Sequence, residues 1–318
     1  MAIELHIGAP ASASLEEQMS FIQRAETLGF TGIGVAEDAR LSDPFTTLFA
    51  AADVSSKMWL YPAVVNPISR TPRQLAAKTR ALFSRAPGRT KLAIGAGDAA
   101  LAGKNQRPAT LKQLRSAVVD IRSRLGEGSI ALFDHLPKGT PSHLLPPPVL
   151  LAASGAKTLE AAGEAADEVL VISGLGLKIR EAVVEAVAQG AIVAGRRSRN
   201  IPITHYTLIS IDENRDQAIE RARSWIYFWL NRGMFKLSLK AIKLPAPPFT
   251  TAAAIPRAFL NRLASELVLA GTPSQIAAQV QRLNADGVSS LFLMIPGGPQ
   301  QHVNGLEQIA RYIQRAAD

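Results

Sequence analysis

The chain has 318 residues, of which 47% are hydrophobic and 19% charged, with no cysteine and a formal net charge of +9. Without cysteine there is no disulfide framework and no thiol chemistry, and the simplest compartment is the cytoplasm. No stretch reaches the roughly 18 uninterrupted apolar residues of a membrane span. The start, MAIELHIGAP, lacks the basic and long apolar regions of a secretory signal. The basic residues are spread along helical stretches without a long run or a nucleic-acid motif, so nucleic acid is not an expected partner.

In chain order, short apolar runs alternate with helical stretches. "IELHIGA" precedes the amphipathic "SLEEQMSFIQRAETLG", "GIGVAED" precedes "PFTTLFAAADVSS", and "MWLYPAVVN" precedes "TPRQLAAKTRALFS". "TKLAIGAG", "PPPVLLAAS" and "DEVLVIS" each lead to a further helix, as do "IPITHYTLISI" and "VSSLFLMIPGG". The runs read as apolar on both faces, as parallel strands covered by helices must be. Eight β-then-α units predict an α/β fold, a (β/α)8 TIM barrel, as one domain over residues 1–318. A doubly wound open sheet is the alternative, but no G-x-G-x-x-G follows the first strand.

Two connections are long. Residues of about 213–270 form a helical insertion between strands 7 and 8 that contains "RSWIYFWLNRGMF". It reads either as a helix packed on the barrel or on a second subunit, or as a lid with aromatic walls over the mouth. Residues 128–146 are polar and proline-rich and read as a surface loop.

Active sites of such barrels lie at the C-terminal strand ends. Those ends carry Gly8 and Ala9; Glu37 and Asp38; Asn66; Gly95, Gly97 and Asp98 in "GAGD"; Ser154 and Gly155; Ser173 and Gly174; His205 on strand 7; and Gly297 and Gly298. Glycine predominates, with no H-E-x-x-H, no clustered metal ligands and no G-x-S-x-G. Backbone that can approach a ligand closely suits a flat, phosphate-bearing group, and a mouth poor in reactive side chains suits a borrowed cofactor. The third strand is peculiar: "WLYPAVVNPISRTP" starts like a strand but holds Pro62, Pro67 and Pro72, none of which can donate to a ladder.

With "YPAVVNPISRTPRQLAAKTRAL", "TKLAIGAGD", "PVLLAASGAKTLEAAGEAADEVLV" and "LVLAGTPSQIAAQVQRLNADGVSSLFL", the chain resembles the luciferase-like monooxygenase superfamily. Within it, the chain is similar to the branch using the deazaflavin coenzyme F420, and there to methylenetetrahydromethanopterin reductases. The resemblance implies a bulged third strand with a non-prolyl cis peptide at Ala63–Val64 against the cofactor ring. It implies cofactor contacts at Ala63, Val64, Asn66, Gly95 and Gly97, at the turn Ala152, Ala153, Ser154 and Gly155, and at Ser173 and Gly174. It makes Asp98 a candidate proton donor and Asp38 an acidic neighbour of the cofactor. Many relatives carry Asp-His at the end of strand 2, where this chain has Asp38-Ala39; His205 is a possible substitute.

The implied activity is hydride transfer between F420 and a C=N, C=C or C=O bond of a small molecule. FMN-dependent monooxygenation is the alternative, and a non-catalytic cofactor-binding relative the second. A homodimer or higher homo-oligomer is expected.

Overall fold

The computed structural model describes residues 3–37, 43–98, 100–101, 105–126, 145–196, 200–245 and 247–314. Asp38 and most of the expected loop at 128–146 lie outside the described residues. The strands are β1 (Glu4–Gly8), β2 (Gly32–Val35), β3 (Trp59–Pro62), β4 (Leu92–Ile94), β5 (Val149–Ala153), β6 (Glu168–Val171), β7 (Ile203–Ile211), β8 (Leu269–Gly271) and β9 (Ser290–Met294). They form one sheet in the order β3-β2-β1-β9-β7-β6-β5-β4, with β8 paired to β7. All of these pairings are parallel, as in Ile7↔Ile33 and Ile7↔Leu293. The two ends of the order meet through bridges Leu60↔Thr90 and Val65↔Ile94. The result is a nearly closed (β/α)8 barrel whose eighth wall strand is β9.

Helices α1 (Leu15–Thr27), α2 (Pro44–Val54), α3 (Pro72–Arg85), α4 (Leu111–Gly126), α5 (Ala156–Ala165) and α6 (Leu177–Val193) follow the first six strands. The sequence writes its helix starts plainly. Thr-Pro-x-Gln occurs at 71–74 and 272–275, and both copies form capping boxes with proline in the first turn. They open α3 and, later, α10 (Pro273–Ala285). A Thr–Gln box satisfies two orphan N–H groups, and proline there gives up only an N–H with no intrahelical partner. Between β7 and β8 lie α7 (Arg215–Asn231), α8 (Lys236–Ala241) and α9 (Arg257–Leu267); α11 (Pro299–Ile309) follows β9.

Strand residues alternate between two cores. Those pointing outward, such as Ile7, Ile33, Leu151, Val169 and Leu293, pack under the helices. Those pointing inward form a separate cluster of Tyr61, Ala63, Ala93, Leu150, Leu170 and Phe292. The inward residues of β2 are glycines for a steric reason. A Cβ on Gly32 would lie 2.6 Å from the His6 ring, and one on Gly34 would lie 2.3 Å from Phe292 and 2.8 Å from Ala63 Cβ.

The N-terminal end of the interior is charged, which departs from strands read as apolar on both faces. Lys91 Nζ lies 2.7 Å from Glu168 and 4.5 Å from the centre of the Trp59 ring. His6 Nδ1 is 2.7 Å from Tyr61 Oη, and His6 Nε2 faces Glu4 at 3.5 Å. Desolvation, aided by the Glu168 and Glu4 charges, pushes the Tyr61 phenol well above its usual range, so it keeps its proton. An O–H donor at Tyr61 leaves Nδ1 as acceptor and puts the His6 proton on Nε2, toward Glu4.

Candidate active site

β3 reaches the mouth through a one-residue bulge. The bridges at Leu60↔Thr90 and Val65↔Ile94 set five steps of chain against four, the signature of an inserted residue. The ladder resumes beyond it with Val65 N–H donating to Ala93 O at 3.1 Å and Gly95 N–H to Val65 O at 2.8 Å. The peptide bond inside the bulge, Ala63–Val64, is cis. Pro62 and Pro67 flank it, each fixing φ without asking the ladder for a partner.

The bulge turns Val64 toward β4 and β5. A Cβ on Gly95 would lie 3.0 Å from Val64 Cγ2 and 3.4 Å from Ala152 Cβ. Val64, Gly95 and Ala152 therefore meet as one wall of small groups. Beneath it the interior is aromatic: Tyr206 stacks on Phe292 at 4.7 Å and 11°, and Tyr61 meets Phe292 edge-on at 6.0 Å. Ala63 is buried in that same cluster.

The remaining predicted residues divide. Gly97 has φ +93°, and a Cβ there would lie 2.9 Å from Asn66 Cγ; both facts require glycine. Asp98 follows it and is exposed. Ala153 is buried and Ser154 half-buried. Gly155 N-caps α5, with its N–H donating to Thr158 Oγ1 at 3.2 Å.

Asn66 is 1% exposed, and its amide is committed to the protein. Nδ2 donates to Glu37 Oε2 at 2.7 Å, and Oδ1 accepts from the N–H groups of Ile68 at 3.0 Å and Ser69 at 2.8 Å. The turn Ser173–Gly174 is committed to the insertion. Ser238 Oγ on α8 donates to Ser173 O, and a Cβ on Gly174 would lie 2.8 Å from Glu266 O on α9. His205 points to the outer face and is buried; desolvation, helped by the Arg180 charge, lowers its pKa to about 4.

The insertion packs on the barrel. Trp229 meets Tyr206 edge-on at 6.3 Å, and its cluster takes in Ile172 just after β6, Leu208 within β7 and Met294 at the end of β9. Sequence reading missed the Tyr206–Phe292 floor, whose two residues stand 86 positions apart. It also missed the pairing of Glu37 with Arg70; the available signal was an acid at one strand end and a base in the loop after the next. Among the described residues there is no group of three metal-capable side chains, and no helix is long and apolar enough to cross a membrane.

Several known proteins resemble this chain in sequence or in fold. The chain is 25% identical over 299 residues, 88% of its length and 90% of the other's, to 5,10-methylenetetrahydromethanopterin reductase of Methanolobus tindarius. An F420-dependent secondary alcohol dehydrogenase, solved with an F420-acetone adduct, superposes over all of both chains with a TM-score of 0.76 at 18% identity. The oxygenating constituent of 3,6-diketocamphane monooxygenase from Pseudomonas putida, solved with FMN, covers 98% of each chain with a TM-score of 0.67 at 18% identity. The family model for the luciferase-like monooxygenases matches residues 2–290. Matched over most of its length by that model, this chain belongs to the luciferase-like monooxygenase family.

Proposed function

We propose that the protein is an oxidoreductase that transfers a hydride between coenzyme F420 and a C=N, C=C or C=O bond of a small organic substrate. The carrying observation is the wall of Val64, Gly95 and Ala152 at the bulge of β3. Its small groups would let a planar ring come close to the backbone, and the Phe292–Tyr206 stack supplies an aromatic floor beneath. The residues present thus fit a deazaflavin. The F420-dependent relatives support that choice, and the FMN-bound neighbour supports the alternative, an FMN-dependent monooxygenase.

When bound, F420 supplies a hydride carrier that does not readily activate oxygen. Val64, Gly95 and Ala152 would hold and orient the ring, and the backbone from Ala153 to Gly155 at the head of α5 would border it. The floor excludes water from below. Asp98 would supply the proton that accompanies the hydride, giving it to the atom of the double bond that does not take the hydride and regaining one from water. Asp38 serves cofactor placement. We read the whole chain as one domain and the protein as a cytoplasmic homo-oligomer, the latter checked by light scattering on the eluting peak.

Turnover with and without oxygen tests the reading. With reduced F420 and a panel of imines, enones and ketones, consumption of F420 should proceed at the same rate anaerobically. An absolute requirement for oxygen would replace this reading with the monooxygenase.

A further inference from the structure

Glu37 and Asn66 stand beyond the ends of β2 and β3, Arg70 in the loop just before α3, and the three are joined below the surface. The Glu37 side chain is 8% exposed and that of Arg70 17%. Glu37 Oε1 pairs with Arg70 Nη1, and Glu37 Oε2 accepts from Asn66 Nδ2 at 2.7 Å. Arg70 Nη2 also donates to Asp43 Oδ2 at 2.8 Å, and Asp43 Oδ1 accepts from Phe45 N–H at 2.8 Å as the N-cap of α2. Arg70 thereby ties the residue preceding positions 38–42 to the residue following them. Asn66 also reaches the loop after β4, because its Cγ and Cβ occupy the space at 2.9 and 3.0 Å from where a Gly97 Cβ would stand.

We infer that Glu37, Asn66 and Arg70 are positioning residues, a clamp that fixes the bulged end of β3 against the ends of β2 and β4 and thereby sets how tightly the wall holds a planar ligand. The part concerning the ligand rests on the function proposed above. Hydrogen-bond polarity makes the clamp specific. A carboxylate only accepts and a guanidinium only donates, so Asn66 must present its nitrogen to Glu37 and its oxygen to the backbone. Buried charges persist only when paired and hydrogen-bonded, and here one cation and one amide satisfy one carboxylate. Val64 lies two residues before Asn66, and Gly95 two before Gly97. A slip of the clamp therefore displaces both sides of the wall.

The polarity also supplies the test. Asn66→Asp sets a new carboxylate against that of Glu37. Adding Glu37→Gln reverses the donor: the amide introduced on β2 donates to the carboxylate introduced on β3, which still accepts the Ile68 and Ser69 N–H groups. The charge of the trio is unchanged. Wild type, N66D and the E37Q/N66D pair are compared at pH 8 in two ways. The first is amide exchange over residues 64–70 with no cofactor present. The second is the Kd for F420, with FMN as a second probe.

The clamp predicts exchange at least tenfold faster and a Kd at least tenfold weaker in N66D, with both returning to within threefold of wild type in the double variant. Unchanged exchange in N66D, or no rescue by the swap, overturns the clamp. Faster exchange with an unchanged Kd overturns the positioning role and leaves a structural one. Should wild type bind neither probe, the proposed function fails, while the exchange arm still decides the clamp. Should N66D not fold, Asn66→Ser, which removes the contact without adding charge, carries both readouts.

Discussion

Asp98→Asn is expected to keep the cofactor affinity and to lower turnover by about 10²–10⁴-fold, the usual effect of a lost general acid. Its side chain is exposed, so the change should also leave the melting temperature where it was. Asp38→Asn is the comparison, expected to change cofactor affinity more than the chemical step. Near-normal turnover in Asp98→Asn would leave solvent as the proton source.

His205 makes a separate, stability-level prediction. Burial holds its folded pKa at about 4, against an ordinary value of 6.5. The unfolded chain therefore binds the extra proton first, and His205 withdraws stability as pH falls from about 6.5 to about 4, by roughly 3 kcal/mol in all. His205→Gln should remove that loss. The stability difference between wild type and variant should shift by roughly 2–3 kcal/mol in favour of the variant between pH 7 and pH 4.5 in urea titrations. A constant difference would mean that the ring is solvated.

Among the elements, the bulged β3 and the glycine-bearing β2 carry the mouth. Gly95→Val would place its branches against Val64 and Ala152, from which a bare Cβ would already stand only 3.0 and 3.4 Å away. The expected outcome is a cofactor affinity reduced by at least tenfold with secondary structure retained, read by titration and circular dichroism. Phe292→Ala would empty the space that Gly34 leaves for the ring and remove the stack under Tyr206. Large-to-small changes of this kind cost about 3–5 kcal/mol, visible as a lower denaturant midpoint.

The prolines of β3, which look like a defect in the sequence, become intelligible at this scale. Pro62 and Pro67 bracket a bulge, and Pro72 opens α3 after its Thr71 cap. The insertion answers the choice the sequence left open as far as its own packing goes. Trp229 and Phe235 are buried, against the barrel end and each other.

For the whole molecule, the eight-unit barrel was legible because apolar strand runs and helical stretches are local signals. The short β8 was not, since Leu269–Gly271 is too brief to show periodicity and is held only by β7. The charged interior was hidden for a related reason. Glu4, His6, Lys91 and Glu168 sit singly at the starts of apolar strands, and only closure of the barrel brings them together. The site was legible as a list of strand ends. Their contacts were not: Asn66 and Ser173 look alike from sequence, yet the Asn66 side chain donates to Glu37, 29 residues away, and the Ser173 backbone carbonyl accepts from Ser238, 65 residues away.

The central claim is that this barrel is shaped for a deazaflavin, and direct fluorescence titration of the purified protein with F420 and with FMN tests it. F420 is expected to bind at least tenfold more tightly, a gap of about 1.4 kcal/mol. Equal or reversed affinities would contradict that claim and return the protein to the FMN-dependent reading.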